Sequence, residues 1–185
     1  MFEHYLVDKP RLTYESPDDG PLTRTFVRLL EGFLGRQKME AHYQSLKGRQ
    51  TDAKTFFREA FKLTNITIDG DMSPIANIPK NRPVLFIANH PFGVIDGLIM
   101  CNLALDYADD FQVVINSLLC QDRDLVPHFL PIDFSETKEA AKRNVRTKQL
   151  AGKALDNGVP LILFPSGMVS TAGAPGFGNV VDAPW

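Results

Sequence analysis

The residues with the clearest chemistry in this sequence are His90 and Asp96, in the run Val84–Asp96 (VLFIANHPFGVID). Histidine is the side chain whose ordinary pKa lies nearest neutrality, so it accepts a proton with little tuning. An ionised aspartate beside the ring fixes the tautomer and stabilises the imidazolium that forms. The pair therefore predicts a general base, His90, oriented by Asp96.

The residues around this pair are suited to bring them together. Val84–Ala88 is apolar and predicts a buried strand that ends just before the histidine. Pro91 favours an extended backbone at His90, and Gly93 can adopt the unusual φ/ψ values of a sharp turn. A simpler alternative is that Asp96 is only a first-turn acid favoured by the helix dipole, and His90 only a loop residue.

A second motif also follows an apolar run. Val159–Phe164 predicts a strand, and Pro165, Ser166 and Gly167 come directly after it. By itself this block is explained by an ordinary Pro-Ser-Gly turn after a core strand. Its interest lies in its position, because both motifs are placed at strand ends.

The two motifs together resemble the lysophospholipid acyltransferase superfamily, the glycerolphosphate acyltransferase-like enzymes. That family places a His and an Asp four residues apart after a strand, whereas here five residues (PFGVI) separate them. The longer spacing is similar to a subgroup of bacterial acyltransferases called hemolysin-like, which includes enzymes of ornithine-lipid synthesis. Residues 164–170, Phe-Pro-Ser-Gly-Met-Val-Ser, resemble the family's Phe-Pro-Glu-Gly-Thr-Arg-Ser block.

This resemblance implies an enzyme of lipid metabolism. It would move a fatty acyl group from acyl-CoA or acyl-ACP to a hydroxyl or amine of a lyso-lipid or glycerolipid precursor. It implies His90 and Asp96 as catalytic residues, with no bound cofactor and no metal. The implied substrate contacts are Asn89, Phe92, Gly93, Phe164, Pro165, Ser166 and Gly167. We also expect backbone N–H groups around Gly167 to be available to an anion.

Two departures from the family pattern bear on the acceptor. Ser166 stands where the family block carries Glu, and Val169 stands where it carries Arg. The segment 129–134 also lacks the family's second acceptor-binding arginine and has Asp133 in that neighbourhood. Arginine is well suited to hold a phosphate, so a lyso-lipid or amino-lipid acceptor is favoured over glycerol 3-phosphate.

The flanking elements predict an α/β fold with a mostly parallel mixed sheet covered by helices. In such sheets ligands bind at the carboxyl ends of the strands, where both motifs fall. The remaining predicted strands are Ile66–Asp69, Phe111–Asn116 and an extended Phe129–Ile132. The predicted helices are Leu22–Leu46, Asp52–Leu63, Val94–Ala108 and Glu136–Asn157, the last ending at Gly158.

We divide the chain into an N-terminal helical segment, 1–65, and a partial acyltransferase-like α/β domain, 66–185. The family continues with a further strand and helices, so the resemblance implies a domain incomplete at its C-terminus. The helix Leu22–Leu46 has its apolar residues on one side. It is either an interfacial helix that dips into a membrane or a helix packed on the core.

Composition narrows the partners. The net charge of −2 gives no basic field of the kind that nucleic-acid binders show. Cys101 and Cys120 lack a CxxC spacing and predict buried, reduced thiols. No run is long enough to span a bilayer and the N-terminus does not resemble a signal peptide. We therefore expect a cytoplasmic protein that acts peripherally at the inner face of the cell membrane.

The cations of the long helix Glu136–Asn157 allow two interpretations. The long helix is either a docking face for acyl carrier protein, coenzyme A phosphates or anionic lipid, or a solvated helix face. Its cations are Lys138, Lys142, Arg143, Arg146, Lys148 and Lys153. His4, His42 and His128 lie in no metal-ligand spacing and are interpreted as structural or surface residues.

Two functions compete with acyl transfer. One is a hydrolase of thioesters or lipid esters, with Ser166 as nucleophile and His90 as base. The other is an inactive, truncated relic of an acyltransferase that binds lipid. The sequence does not decide the oligomeric state.

Overall fold

The protein is an α/β structure in which parallel strands alternate with helices. The computed structural model describes residues 6, 41, 43–46, 52–80, 82–167, 171–172 and 180–181. Besides the helical residues 41 and 43–46 and the 3₁₀ turns Ser117–Leu119 and Val126–His128, the helices within them are Ala53–Leu63 (α1), Ser73–Ala76 (α2), Val94–Tyr107 (α3) and Lys138–Asp156 (α4). The strands are Leu85–Ile87 (β1), Gln112–Asn116 (β2), Phe129–Ile132 (β3), Leu161–Leu163 (β4), Thr171–Ala172 (β5) and Val180–Val181 (β6). The predicted fold class is confirmed.

The central sheet has the strand order β1-β4-β2-β3, and every pairing in it is parallel. All its carboxyl ends therefore lie along one edge, which we call the carboxyl edge, and the strands begin at the opposite, amino edge. Ile87 of β1 pairs with Leu163 of β4. The residues that follow these two strands consequently emerge side by side. Separately, β5 and β6 form an antiparallel pair.

Helix α1 packs on α3 and closes the core. Asp52 caps α1, since its carboxylate accepts hydrogen bonds from the Thr55 amide and hydroxyl, both at 2.9 Å. Phe57 on the buried side of α1 meets Phe111 edge-to-face at 5.2 Å. The buried Asn102 of α3 donates to the Phe57 carbonyl at 3.1 Å. Arg58 of α1 adds hydrogen bonds to Asn102 and an ion pair with Asp106 of α3, so polar contacts help to fix how α1 lies on α3.

Helix α4 connects β3 to β4 and is fixed at both ends. The Thr137 hydroxyl caps its first turn by accepting from the Ala140 amide at 3.1 Å. In its middle, the buried Thr147 hydroxyl donates to the Pro131 carbonyl of β3 at 2.6 Å. Gly158 ends it with φ of +74°, a conformation that suits glycine. This agrees with the helix end predicted from the sequence.

One local strand prediction is wrong. Ile66–Asp69 alternates like a strand but forms none, because alternation reports which side chains can be buried and does not supply a neighbouring strand. The proline-rich approach to β1 contains the short helix α2, whose first turn accommodates Pro74. The predicted helix Leu22–Leu46 lies outside the described residues except for 41 and 43–46, which are helical.

Candidate active site

His90 and Asp96 meet at the carboxyl edge just beyond β1. The imidazole Nδ1 lies 3.2 Å from Asp96 Oδ2. The same carboxylate oxygen accepts the Phe92 backbone N–H at 2.7 Å. Only 11% of the Asp96 side chain is exposed, against 20% for His90. The carboxylate is therefore held from two directions, and the ring is the more accessible partner.

A tight turn produces this contact. Gly93 has φ of +62°, which L-residues with side chains rarely adopt, and it begins α3. Asp96 consequently falls in the first turn of α3, as the simpler interpretation of that residue expected. In the folded chain it also contacts His90. The first-turn position and the pairing with the ring are thus compatible, since the turn supplies both.

The contact assigns the tautomer of the neutral ring. Because a carboxylate only accepts hydrogen bonds, the proton of neutral His90 lies on Nδ1. The lone pair on Nε2, on the opposite side of the ring, is then available to accept a proton. This is the arrangement of a general base with its orienting carboxylate.

The second motif lies next to the histidine. The Phe164 ring stacks on the His90 ring with centroids 4.2 Å apart and planes inclined by 25°. The chain then turns at Gly167, whose φ is +64° and whose N–H donates to the Phe164 carbonyl at 3.0 Å. The expectation that this amide is available to an anion is therefore wrong for Gly167, because the turn itself uses it.

The other predicted contact residues also lie at the carboxyl edge. Asn89 precedes the histidine, whereas Pro165 and Ser166 follow β4, the strand beside β1. Phe92 is 68% exposed and Phe134, after β3, is 57% exposed. The Phe134 ring reaches across the end of β2 to Gly167, where an added Cβ would lie 3.5 Å from it. The sequence motifs gave no sign of Phe134.

Arg143 is a second residue that motif reasoning did not place here. It lies on α4, yet its Nη2 contacts Asp133 Oδ2 at 2.5 Å beyond the end of β3. The Ser135 hydroxyl and amide together with Arg143 hold the pKa of Asp133 well below its ordinary value. With three strand spacings between β3 and β1, this pair is about 14 Å from the histidine strand. It fastens α4 to β3 and lies apart from His90. The sequence did offer one signal for this contact, because the long helix starts just after β3 and so brings its first turns, with Arg143, close to the end of that strand.

Both cysteines lie in the described part of the chain. Cys101 and Cys120 are buried and form no disulfide, and burial raises the pKa of both thiols. Among the described residues no group of three or more His, Cys, Asp or Glu side chains could hold a metal ion. The described helices include none long and apolar enough to cross a membrane.

Comparison with known proteins gives a consistent result. Residues 48–185 match the model of a family described as acyltransferase. A lyso-glycine lipid O-acyltransferase of Phocaeicola vulgatus is 28% identical over 116 residues, which are 62% of this chain and 39% of the relative. The lyso-glycine lipid O-acyltransferase of Bacteroides thetaiotaomicron is 30% identical over 101 residues, 54% of this chain and 35% of the relative. The chain thus matches less than two fifths of the length of either relative. No solved structure matches it.

Proposed function

The chain belongs to the acyltransferase family, and from that premise we propose that it transfers a fatty acyl group from an acyl thioester to the hydroxyl of a lyso-lipid. The observation that carries the proposal is the 3.2 Å contact between His90 Nδ1 and Asp96 Oδ2, which leaves Nε2 as the proton acceptor. The names of both relatives, lyso-glycine lipid O-acyltransferase, favour a lyso-lipid hydroxyl over an amine as acceptor.

The proposed reaction needs no covalent enzyme intermediate. His90 Nε2 takes the proton of the acceptor hydroxyl while the oxygen attacks the thioester carbonyl carbon, and Asp96 stabilises the imidazolium. The tetrahedral intermediate then collapses, its carbon–sulfur bond breaks, and the leaving thiolate takes the proton back from His90. An ester of the lyso-lipid and a free thiol result. Asn89, Phe92, Gly93 and the segment Phe164–Gly167 form the proposed walls around the reacting groups.

The thioester carrier is either acyl carrier protein or coenzyme A. Helix α4 presents exposed Lys138, Lys142, Arg146 and Lys148, which suit an acidic protein or the phosphates of coenzyme A. Arg143 on the same helix has its charge offset by Asp133. The exposed lysines and arginine thus remain the proposed docking charges.

We further propose that the carboxyl edge works against the inner face of the cell membrane. Phe92, Leu118 and Phe134 follow β1, β2 and β3 respectively, and each is more than half exposed. Exposed aromatic and aliphatic side chains grouped at one edge favour contact with a lipid surface. An enzyme on lyso-lipids gains from this arrangement, because the acceptor hydroxyl then arrives at the same edge as His90.

Vesicle binding tests this orientation. A Phe92→Ser/Phe134→Ser protein should sediment with phosphatidylethanolamine–phosphatidylglycerol vesicles about 10-fold less than the unaltered protein, since two apolar contacts are lost. Val145→Ser is the matched control, because Val145 is 59% exposed but lies on α4. Equal losses of vesicle binding in the double variant and in the control would contradict the proposal that the carboxyl edge faces the membrane.

The function is tested by acyl transfer from long-chain acyl-CoA and acyl carrier protein into a panel of lyso-lipids, including a lyso-glycine lipid. We expect an O-acylated product, and we expect Ser166→Ala to keep forming it. Release of free fatty acid without acylated lipid, abolished in Ser166→Ala, would replace the transferase by the serine hydrolase. Failure of the folded protein to form either product would contradict both.

A further inference from the structure

We propose that Phe164 is a positioning residue that holds the His90 imidazole in its reactive orientation. The inference rests on the proposed function and assigns the second motif a role beyond lining the substrate site. Its ring lies against one face of the imidazole, with centroids 4.2 Å apart and planes inclined by 25°. Asp96 holds the edge of the same imidazole at Nδ1. One face and one edge of His90 are thus fixed by different elements.

The sheet explains why Phe164 can do this. Since Ile87 pairs with Leu163, the residue after β4 lies beside the residue after β1, at the start of the chain leading to His90. β4 is an inner strand with β1 on one side and β2 on the other. Phe164 is partly buried and packs against the hydrophobic core. Core contacts therefore hold the Phe164 ring in place where it lies against His90.

The stack restricts the ring rotation that would break the contact between His90 Nδ1 and Asp96. A half-turn of the imidazole about Cβ–Cγ exchanges Nδ1 with Cδ2 and Nε2 with Cε1, and it passes through a ring roughly perpendicular to Phe164. A perpendicular imidazole would press its edge into the Phe164 face, whose centroid is only 4.2 Å from that of His90, so the rotation requires His90 or Phe164 to move away first. The stacked ring thereby keeps Nδ1 on Asp96 and Nε2 towards the substrate.

A purely structural role for Phe164 has a matched control in Phe86. Phe86 also is partly buried and packed against the core, on β1, and its ring meets Tyr107 edge-to-face at 6.1 Å. Removal of either ring takes a similar amount of apolar surface out of the same core. Phe164 alone of these two phenylalanines stacks on His90.

The experiment compares Phe164→Leu, Phe164→Tyr and Phe86→Leu by kinetics, thermal unfolding and NMR of the His90 ring protons. We expect kcat to fall about 10- to 100-fold in Phe164→Leu with KM nearly unchanged, because a misplaced base slows the chemical step. Phe164→Tyr should restore kcat to within about threefold, since it keeps the ring. Phe86→Leu should lower the unfolding midpoint comparably while leaving kcat intact.

The NMR readout stands apart from the proposed function. Protons over a phenyl face resonate upfield, so the His90 ring protons should move downfield in Phe164→Leu and stay in place in Phe86→Leu. That result would hold even if no transfer product were found. Unshifted ring protons in Phe164→Leu, equal kcat losses in the two leucine variants, or a rise in KM alone, would overturn the positioning role.

Discussion

His90 lies at the carboxyl edge of the sheet and His128 at the amino edge, yet their surroundings resemble each other closely. His90 follows β1, pairs with Asp96 at 3.2 Å and stacks on Phe164. His128 immediately precedes β3, and its Nδ1 lies 3.1 Å from Asp110 Oδ1. It also stacks on a phenylalanine, Phe111, at 5.1 Å and 30°. By residue types and distances alone the two would be taken for equivalent sites.

The difference lies in what holds each carboxylate. The Asp96 side chain is 11% exposed and also accepts the Phe92 amide, whereas the Asp110 side chain is 63% exposed. His128 Nδ1 additionally lies 3.2 Å from the Phe111 carbonyl, so its ring is satisfied by the main chain whether or not Asp110 is there. An exposed ion pair of this kind contributes little free energy.

The two surroundings differ in features that set the proposed general base, His90, apart from His128. A buried carboxylate fixed by the backbone, at the carboxyl ends of parallel strands, marks the first. A main-chain acceptor beside a core phenylalanine marks the second. A cleft of about 430 Å³ does lie at the amino edge, lined in part by Asp110, Gln112 and Phe129. Neither His90 nor His128 lines this cleft.

The largest difference is expected between the two aspartates, Asp96 and Asp110. Asp96→Asn should lower kcat by about 10²- to 10⁴-fold, because a neutral amide does not stabilise the imidazolium that forms on His90 as the carboxylate does. Asp110→Asn should stay within about twofold of the unaltered enzyme, since the exposed pair contributes little. Steady-state kinetics under identical conditions measure both. Comparable losses from both substitutions would abolish the distinction between the sites.

The next effect concerns stability, and here the larger loss is expected beside His128 and the smaller one beside His90. Phe111, beside His128, is fully buried, so Phe111→Ala should lower the free energy of unfolding by about 3–5 kcal/mol. Phe92→Ala, beside His90, should change it by about 0.5 kcal/mol or less because that ring is already exposed. Urea unfolding of the two variants checks this. Similar losses of unfolding free energy in the two variants would mean that Phe92 contributes as much to the core as Phe111 does.

Two glycines allow a smaller test with opposite signs. Gly167 after β4 has φ of +64°, so Gly167→Ala should cost about 1–2 kcal/mol of stability. Gly152 lies within α4 with no heavy atom within 4 Å of an added Cβ, so Gly152→Ala should stabilise the protein by about 0.5–1 kcal/mol. Thermal unfolding distinguishes the two. A stabilised Gly167→Ala protein would show that the turn beside His90 does not require a left-handed residue.

The smallest effect separates a structural acid at the carboxyl edge from Asp96. The Ser135 hydroxyl and amide, with Arg143, hold the pKa of Asp133 below its ordinary value of 3.8. A depressed aspartate pKa contributes stability above about pH 4, and that contribution disappears as the pH falls through the folded value. Asp133→Asn should therefore cost about 1 kcal/mol or less at neutral pH and progressively less below pH 4. A pH-independent difference would contradict this linkage, and kcat should be nearly unchanged.

Much of the fold and the central pair of the site were predictable from the sequence. The apolar runs that became β1, β2, β3 and β4 each ended close to where they were predicted, because such runs report burial directly. The histidine and aspartate were identified by their types and by the glycine between them. Ile66–Asp69 misled because its alternation carries no information about a partner strand.

Contacts made across the sheet could not be predicted. Strand order decides that β4 lies beside β1, and only then does Phe164 lie against His90. The same holds for Phe134, which reaches Gly167 across the end of β2. The side-chain partners of His128 likewise depend on three-dimensional packing.

The most direct test of the account is acyl transfer to a lyso-lipid measured side by side for the unaltered protein, His90→Gln and His128→Gln. We predict that His90→Gln loses about 10²- to 10⁴-fold in kcat with its unfolding midpoint nearly unchanged, because only the base is lost. His128→Gln should keep its kcat while unfolding at a lower temperature. Turnover that survives in His90→Gln, or that falls equally in His128→Gln, would contradict the assignment of His90 as the general base.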